Sequence, residues 1–205
     1  MLHKLILKKR CGMRMDAACV VATVNAIVYD YRVVLHPFSG FPIAAMALGA
    51  ALYLDLVSDS IRVTSMTDVS FSETAMLFLF VDCLQYFTHL LSHRCFYASH
   101  KLHHVHTSPT HRDAFSTGLF DATFQLMFPI LAAINLIEPT RGSLVAFGTG
   151  YSVWLQFIHS DRKWCSSIWV TPQYHRVHHR HPTKNFGHIF TIWDRVFKTV
   201  QWPKA

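Results

Sequence analysis

The chain has 205 residues, of which 51% are hydrophobic and only 15% are charged, and 16 of them are phenylalanine. A typical soluble domain has about 25% charged residues, so this composition argues against an ordinary soluble protein and favours a membrane protein. The length is compatible with a single domain.

The formal net charge of +7 comes mostly from scattered Lys and Arg residues. The one compact basic group, between Lys4 and Arg14, directly precedes an apolar stretch, where positive charge usually sets membrane orientation. We therefore expect no nucleic-acid partner. The five cysteines are odd in number and form no C-x-x-C motif, which argues against a disulfide framework or a cysteine-based zinc site.

Apolar stretches follow one another along the chain. They are Ala17–Leu35, Phe41–Val57, Ala75–Leu91, Phe120–Ile137 and Ser143–Ile158. None is an unbroken run of about 20 apolar residues, the length that a bilayer span requires. Pro139 and Gly142, in the short polar link between the last two stretches, predict a tight connection between antiparallel helices.

The distribution of cations predicts the membrane topology. Lys and Arg accompany the histidine-rich segments as well as the N-terminus, whereas the link 58–74 carries a single cation. Cytoplasmic segments are enriched in Lys and Arg, so the N-terminus and the histidines should share the cytosolic side. This agrees if Ala17–Leu35, an uncleaved anchor, lies at the membrane surface or dips in without crossing, and the other four stretches cross.

Three histidine clusters are the most informative motifs of the chain. They read His89-x3-His93, His100-x2-His103-His104 and His175-x2-His178-His179. On a helix, residues three or four positions apart lie on one face. Eight imidazoles are too many for one metal ion, and they suit a site that holds two.

Other polar residues near the clusters are further candidates. His159 ends the last apolar stretch on the cluster side, and as a lone histidine it is as well explained by a structural role as by metal binding. Asp82 lies two turns before His89, and an acid inside a membrane helix is a functional candidate. Asp82 or Tyr86 could accept the second N–H of a metal-bound imidazole. We interpret the remaining histidines as isolated, surface or supporting groups: His3, His36, His106, His111, His181 and His188.

The type of ligand restricts which metal ions can bind. Imidazole binds zinc, iron, copper and nickel, but a structural zinc site is closed by four ligands and usually includes cysteine. Two incomplete histidine shells indicate a reactive centre. Two iron ions that activate dioxygen are the favoured candidate, and zinc stays open as the metal of the isolated protein.

With its further motifs, the chain resembles the fatty acid hydroxylase / sterol desaturase superfamily of membrane proteins. The motifs are Asp82-x3-Tyr86-x2-His89-x3-His93, His100-x2-His103-His104, Phe157-Ile-His159, Thr171-Pro172-x2-His175-x2-His178-His179, Asn185-Phe186-Gly187 and Ile192-Trp193-Asp194-Arg195-x-Phe197. The resemblance divides the chain into N-terminal membrane segments, 1–70, and a hydroxylase-like catalytic domain, 71–205.

The resemblance implies an all-α fold, an integral membrane bundle of about four transmembrane helices with a cytosolic helical cap that holds a dinuclear site. Family members use dioxygen, and electrons from a partner of cytochrome b5 or ferredoxin type, to hydroxylate or desaturate lipids. The membrane would be the endoplasmic reticulum of a eukaryote or the inner membrane of a bacterium. Asp194 would help to close the cap. The family's ligand pattern maps onto His89, His93, His100, His103, His104, His159, His175, His178 and His179.

The chain departs from the family pattern at two edges. Leu90 replaces a common Arg, and Lys198 replaces the glycine of a usual Phe-Gly-Thr ending. The substrate stays open among sterols, fatty acyl chains and related lipids, as does the choice between hydroxylation and desaturation. Two alternatives also stay open, namely a non-catalytic or degenerate membrane metal-binding homologue and a carotenoid hydroxylase, although the tail motif disfavours the latter.

Overall fold

A computed structural model of the protein describes Ile61 and residues 64–204. This part of the chain is helical, and its only β-pairing is an isolated bridge between Trp169 and Phe190. The predicted all-α character is therefore confirmed. The first two apolar stretches, Ala17–Leu35 and Phe41–Val57, lie outside the described residues, so the four-span bundle stays a prediction.

The helices are numbered here in chain order. They are α1 Phe71–Cys95, α2 Tyr97–His100, α3 Leu119–Asp121, α4 Phe128–Ile137, α5 Arg141–Ile158, α6 Pro172–Arg180 and α7 Ile192–Val196. Two 3₁₀ turns, His103–Val105 and His111–Phe115, follow α2. A π-helical segment, Ala122–Met127, joins α3 directly to α4.

Helix α1 is the longest of the described helices. Its first turn is capped by Ser70, whose hydroxyl accepts the Glu73 N–H at 3.4 Å. Its 25 residues give a length of about 38 Å. Among the described helices it is the one long and apolar enough to cross a membrane, and it contains the predicted stretch Ala75–Leu91.

Helices α4 and α5 both pack against α1. The link between them is as short as predicted, because α4 ends at Ile137 and α5 begins at Arg141. Glu138 has a left-handed backbone with φ of 52°, which reverses the chain direction. The Glu73 carboxylate accepts the Thr140 N–H at 2.9 Å and so ties this link to the start of α1.

The hydrophobic core lies where α1, α5 and the C-terminal part of the chain meet. Buried side chains from these three regions form one cluster, which includes Leu77, Val81, Phe147, Tyr151, Val170, Tyr174 and Ile189. Burying an aliphatic or aromatic side chain of this size contributes roughly 1.5–3 kcal/mol. The core therefore fixes the C-terminal segment onto the helices.

Asp194 organises the C-terminal segment. Its buried carboxylate accepts the backbone N–H groups of Phe186 and Gly187 at 2.8 and 2.9 Å, and the Tyr174 hydroxyl at 3.0 Å. A Cβ on Gly187 would lie 2.6 Å from the Phe190 carbonyl oxygen, so only glycine fits there. The N-F-G and W-D motifs therefore contact each other, because the Asp194 carboxylate binds the backbone of Phe186 and Gly187.

Asn185 closes the same segment from the other side. Its φ of 59° is left-handed, a conformation that Asn adopts more readily than most residues. Its amide donates to the carbonyl oxygens of Tyr174 and Gln201 at 3.0 and 2.8 Å, and its side-chain oxygen accepts the Gln201 N–H at 2.6 Å. Replacing it would leave several buried groups without partners.

Lys198 has a φ of 58°, which explains why a glycine is usual at this place in the family motif. A left-handed backbone costs an L-residue about 1–2 kcal/mol, partly offset by the greater unfolded-state freedom of glycine. We expect Lys198→Gly to raise the free energy of unfolding by roughly 0.5–1 kcal/mol, measured by denaturant unfolding in detergent. The exposed Lys163, which lacks a positive φ, is the matched control. A gain in stability from Lys163→Gly, or none from Lys198→Gly, would contradict the explanation.

Candidate metal centre

Helix ends bring the histidines to one place. His89 and His93 lie in the last turns of α1, His100 ends α2, and His159 follows the last residue of α5. Helix α6 carries three more histidines, and its start is fixed by Thr171, whose hydroxyl accepts the Tyr174 N–H at 3.2 Å. The structure brings together all nine histidines that the sequence and the family resemblance singled out.

The nine histidines form two groups of potential ligands. The first cluster consists of His89, His93, His100, His104 and His178, and the second of His103, His159, His175 and His179. Within each cluster the ligand nitrogens lie within 4.8 Å of one another. All of these imidazoles are buried except that of His93, which is partly buried.

The Nε2 atoms of each cluster converge on a common point. In the first cluster, Nε2 of His100 lies 3.1 Å from that of His89 and 3.0 Å from that of His104. In the second, Nε2 of His159 lies 3.1 Å from that of His103 and 3.0 Å from that of His175.

The outward-facing Nδ1 atoms show where the imidazole protons lie. Nδ1 of His103 lies 3.2 Å from the Ser116 carbonyl oxygen, and Nδ1 of His159 lies 2.7 Å from the Leu155 carbonyl oxygen. A carbonyl oxygen can only accept, so each of these histidines carries its proton on Nδ1. Each Nε2 is therefore left with a lone pair.

The contact between His103 and His159 therefore joins two lone pairs. With both protons on Nδ1, the two Nε2 atoms at 3.1 Å cannot form a hydrogen bond with each other. The same holds in the first cluster for His89, whose Nδ1 donates to the Phe186 carbonyl oxygen at 2.8 Å. Nδ1 of His100 contacts both the Asp121 carboxylate at 2.9 Å and the Gln125 amide nitrogen at 2.7 Å. A cation among the Nε2 atoms removes this repulsion, so the donor set fits a metal ion in each cluster.

Burial keeps the histidines of α6 uncharged. It lowers the pKa of His175, His178 and His179 well below the ordinary value of 6.5, and the neighbouring imidazoles lower it further. Neutral imidazole is the form that binds metal. No cysteine and no carboxylate belongs to either cluster, which leaves an all-nitrogen donor set.

Asp121 is a supporting residue that the sequence reasoning missed. Its carboxylate accepts the Nδ1–H of His100 at 2.9 Å and is itself held by the Thr117 hydroxyl at 2.5 Å and the Gln125 amide at 2.6 Å. The π-helical segment begins directly after Asp121. The signal was available, since Asp121 is an acid within an apolar stretch, the same argument that singled out Asp82.

Among the described contacts, Asp82 and Tyr86 do not accept imidazole protons as expected, and Asp194, the acid expected to help close the cap, binds the C-terminal segment. Asp82 accepts the Ile189 N–H at 2.8 Å and the Trp193 indole N–H at 2.9 Å, and the Tyr86 hydroxyl pairs with Thr199. Two helical turns, about 10 Å, separate Asp82 from His89, so its carboxylate reaches the C-terminal segment instead. These acids position the backbone whose Phe186 carbonyl oxygen accepts the proton of His89.

The other histidines divide by exposure. His106, His111 and His181 are exposed, in agreement with a surface role. His188 is instead buried, with 7% of its surface accessible, and it does not belong to either cluster. His3 and His36 lie outside the described residues.

Comparison with known proteins decides the family. The model of the fatty acid hydroxylase family matches residues 74–199, which include both histidine clusters and the C-terminal motifs. The chain belongs to the fatty acid hydroxylase family.

Named relatives are lipid-modifying enzymes. An alternative squalene epoxidase of Phaeodactylum tricornutum is 33% identical over 67% of this chain and 42% of its own length. A Delta(7)-sterol 5(6)-desaturase of Schizosaccharomyces pombe is 30% identical over 65% and 41%, and an alkylglycerol monooxygenase of Danio rerio is 30% identical over 60% and 29%. The chain thus matches less than half the length of each relative. No solved structure shows a significant match.

Asp121→Asn should weaken metal binding. The change keeps the size of the side chain but replaces the anion that accepts the His100 proton, and losing such a partner typically reduces metal affinity roughly 10–100-fold. Competition with a chelator measures this affinity. The exposed Asp161→Asn is the matched control, and an Asp121→Asn protein with unchanged affinity would contradict the supporting role.

The metal-free protein should lose stability in mild acid. The folded-state pKa values of His175, His178 and His179 lie below the unfolded-state value near 6.5, so the unfolded chain binds protons first. Stability is then greatest above about pH 6.5 and falls below it, by up to about 1.4 kcal/mol per pH unit for each histidine. Thermal unfolding between about pH 8 and pH 5 tests this. A melting temperature that rises as the pH falls would contradict it.

Proposed function

We propose that this protein is a membrane-bound, dioxygen-dependent lipid hydroxylase or desaturase with two iron ions held by its histidines. The observation that carries the proposal is the pair of buried clusters in which uncharged imidazoles direct lone pairs at one another. Such a set is complete only with a metal ion. Its lack of cysteine argues against a structural zinc site.

The surroundings of the centre support a lipid substrate. The helix α1 that carries His89 and His93 also exposes apolar side chains such as Leu79 and Phe80. Exposed apolar side chains along a helix of this length suit contact with lipid chains. A substrate dissolved in the bilayer could then reach the centre along the helix.

The names of the relatives favour a particular lipid class. Two of the three relatives carry names that refer to a sterol or to squalene. We propose a sterol or a related isoprenoid as the first substrate class to test. An ether lipid is the second, because of the alkylglycerol monooxygenase.

Bound iron would activate dioxygen, and the protein residues would hold the iron ions and shield them from bulk water. Nine histidines hold the ions, Asp121 orients His100, and the buried clusters exclude bulk water. Hydroxylation places one atom of dioxygen in a C–H bond and releases the other as water, and desaturation removes two hydrogens and releases two waters. Either reaction consumes two electrons and two protons, which we assign to a donor of cytochrome b5 or ferredoxin type.

The same proposal places the protein as a multi-pass membrane protein. The long apolar helix α1 supports membrane association. The compartment would be the endoplasmic reticulum in a eukaryotic cell or the inner membrane in a bacterial cell.

Removing one histidine from each cluster tests the proposal. His178→Ala and His103→Ala should each lower the metal content and abolish lipid oxidation, because each removes a ligand to a different ion. Metal content is measured by elemental analysis, and activity by comparing the lipids of cells with and without each variant. The exposed His181→Ala serves as the control.

Two results would contradict this function. Full lipid oxidation by His178→Ala or His103→Ala would show that the altered histidine is not a required metal ligand. Normal metal content in the unaltered protein, with no dioxygen consumed on lipid extracts in the presence of a reductant, would favour a non-catalytic metal-binding homologue.

A further inference from the structure

A small cavity lies against both histidine clusters. Its volume is about 50 Å³, and His100 of the first cluster and His103 and His159 of the second line it. Phe115, Leu126 and Leu155 form part of its apolar wall. A cavity needs only about 10–15 Å³ to hold a water molecule, so this one has room for a small ligand but not for a lipid ring.

Two buried polar side chains also line this cavity without a hydrogen-bond partner. They are Gln85, whose side-chain oxygen is unpartnered, and His188, whose Nδ1 is unpartnered. Gln85 is 4% exposed and His188 is 7% exposed. Leaving a buried polar group unpaired is unfavourable, so two of them beside one cavity indicate a polar occupant.

His188 lies between the clusters without belonging to either. Its ring centroid is 4.6 Å from that of His89 in the first cluster and 5.8 Å from that of His175 in the second. Its nitrogens are not among the ligand atoms that converge in either group. The imidazole is therefore placed to contact something that lies between the two ions rather than to complete one coordination shell.

The backbone around His188 is rigidly held. Asp194 accepts the Gly187 N–H at 2.9 Å, and Asp82 accepts the Ile189 N–H at 2.8 Å. The His188 carbonyl oxygen accepts the Trp154 indole N–H at 2.7 Å. Three contacts from different helices thus fix this residue, which is the way a preorganised binding group is built.

We propose that His188 is a positioning residue that donates a hydrogen bond to an oxygen-bearing ligand held in this cavity between the two metal ions. Gln85 accepts a hydrogen bond from the same ligand, or from a water molecule beside it. The proposal rests on the two-metal centre proposed above. It assigns to His188 a role distinct from that of the nine ligands, because His188 contributes no nitrogen to either group of converging ligand atoms.

Azide, a small anion that binds metal ions and accepts hydrogen bonds, is the probe. The full-length protein in detergent is loaded with cobalt(II), and azide is titrated while the cobalt absorption bands are followed. His188→Leu should keep two metal ions per chain and bind azide roughly tenfold more weakly, the effect of one lost hydrogen bond to a charged group. His188→Gln, which retains a donor, should recover most of this loss.

The exposed His181→Leu is the matched control, because it removes a histidine that does not line the cavity. This variant should keep the azide affinity of the unaltered protein. If His188→Leu does not yield folded protein, His188→Met, a flexible side chain without a donor, replaces it.

Three outcomes would overturn the proposal. Loss of one metal ion from His188→Leu would make His188 a ligand. An unchanged azide affinity in His188→Leu would show that His188 does not bind the ligand. An equally weakened affinity in His188→Gln would show that the loss comes from altered packing and not from a lost hydrogen bond. None of these measurements uses lipid, reductant or turnover, so their failure is distinguishable from failure of the proposed lipid oxidation.

Discussion

The structure depends on one electrostatic constraint, which is that uncharged imidazoles are packed with their lone pairs facing one another. Backbone carbonyl oxygens accept outward Nδ1 protons from histidines of each cluster, as Leu155 does for His159 and Phe186 does for His89. The inward nitrogens are then acceptors with no donor. A buried arrangement of this kind is repulsive alone and favourable around a cation, so the fold and the metal are expected to stabilise each other.

The C-terminal segment helps to orient the imidazoles, because its Phe186 carbonyl oxygen accepts the Nδ1 proton of His89. Asp194 holds the backbone N–H groups of Phe186 and Gly187, and Asp82 reaches from α1 to the neighbouring Ile189. These acids never touch an imidazole nitrogen among the described contacts, yet they position the carbonyl oxygen that orients His89. The tail motif of the family is therefore part of the metal centre, one layer behind the ligands.

Helix α1 combines histidines of the candidate metal centre with an exposed apolar surface. Its apolar length passes the requirement for a membrane span, and its last turns carry His89 and His93. Under the proposed function, a lipid dissolved in the bilayer would meet the metal ions at the end of this helix. The composition predicts a membrane protein and the histidine spacing predicts a metal site, and helix α1 carries features of both.

The sequence by itself determined the short α4–α5 connection and eight of the nine histidines, and its resemblance to the family added His159 and the all-α class. Helical periodicity is a local property, so pairs four residues apart on one helix, such as His89 and His93 or His175 and His179, stay in one cluster. Only the tertiary structure decided that His103 and His178 join the opposite cluster from their sequence neighbours, because that depends on how separate helices approach. For the same reason spacing could not reveal that His188 is buried between the clusters or that Asp121 holds His100. Those contacts join residues 13 to 99 positions apart, and packing of separate segments, rather than local periodicity, brings them together.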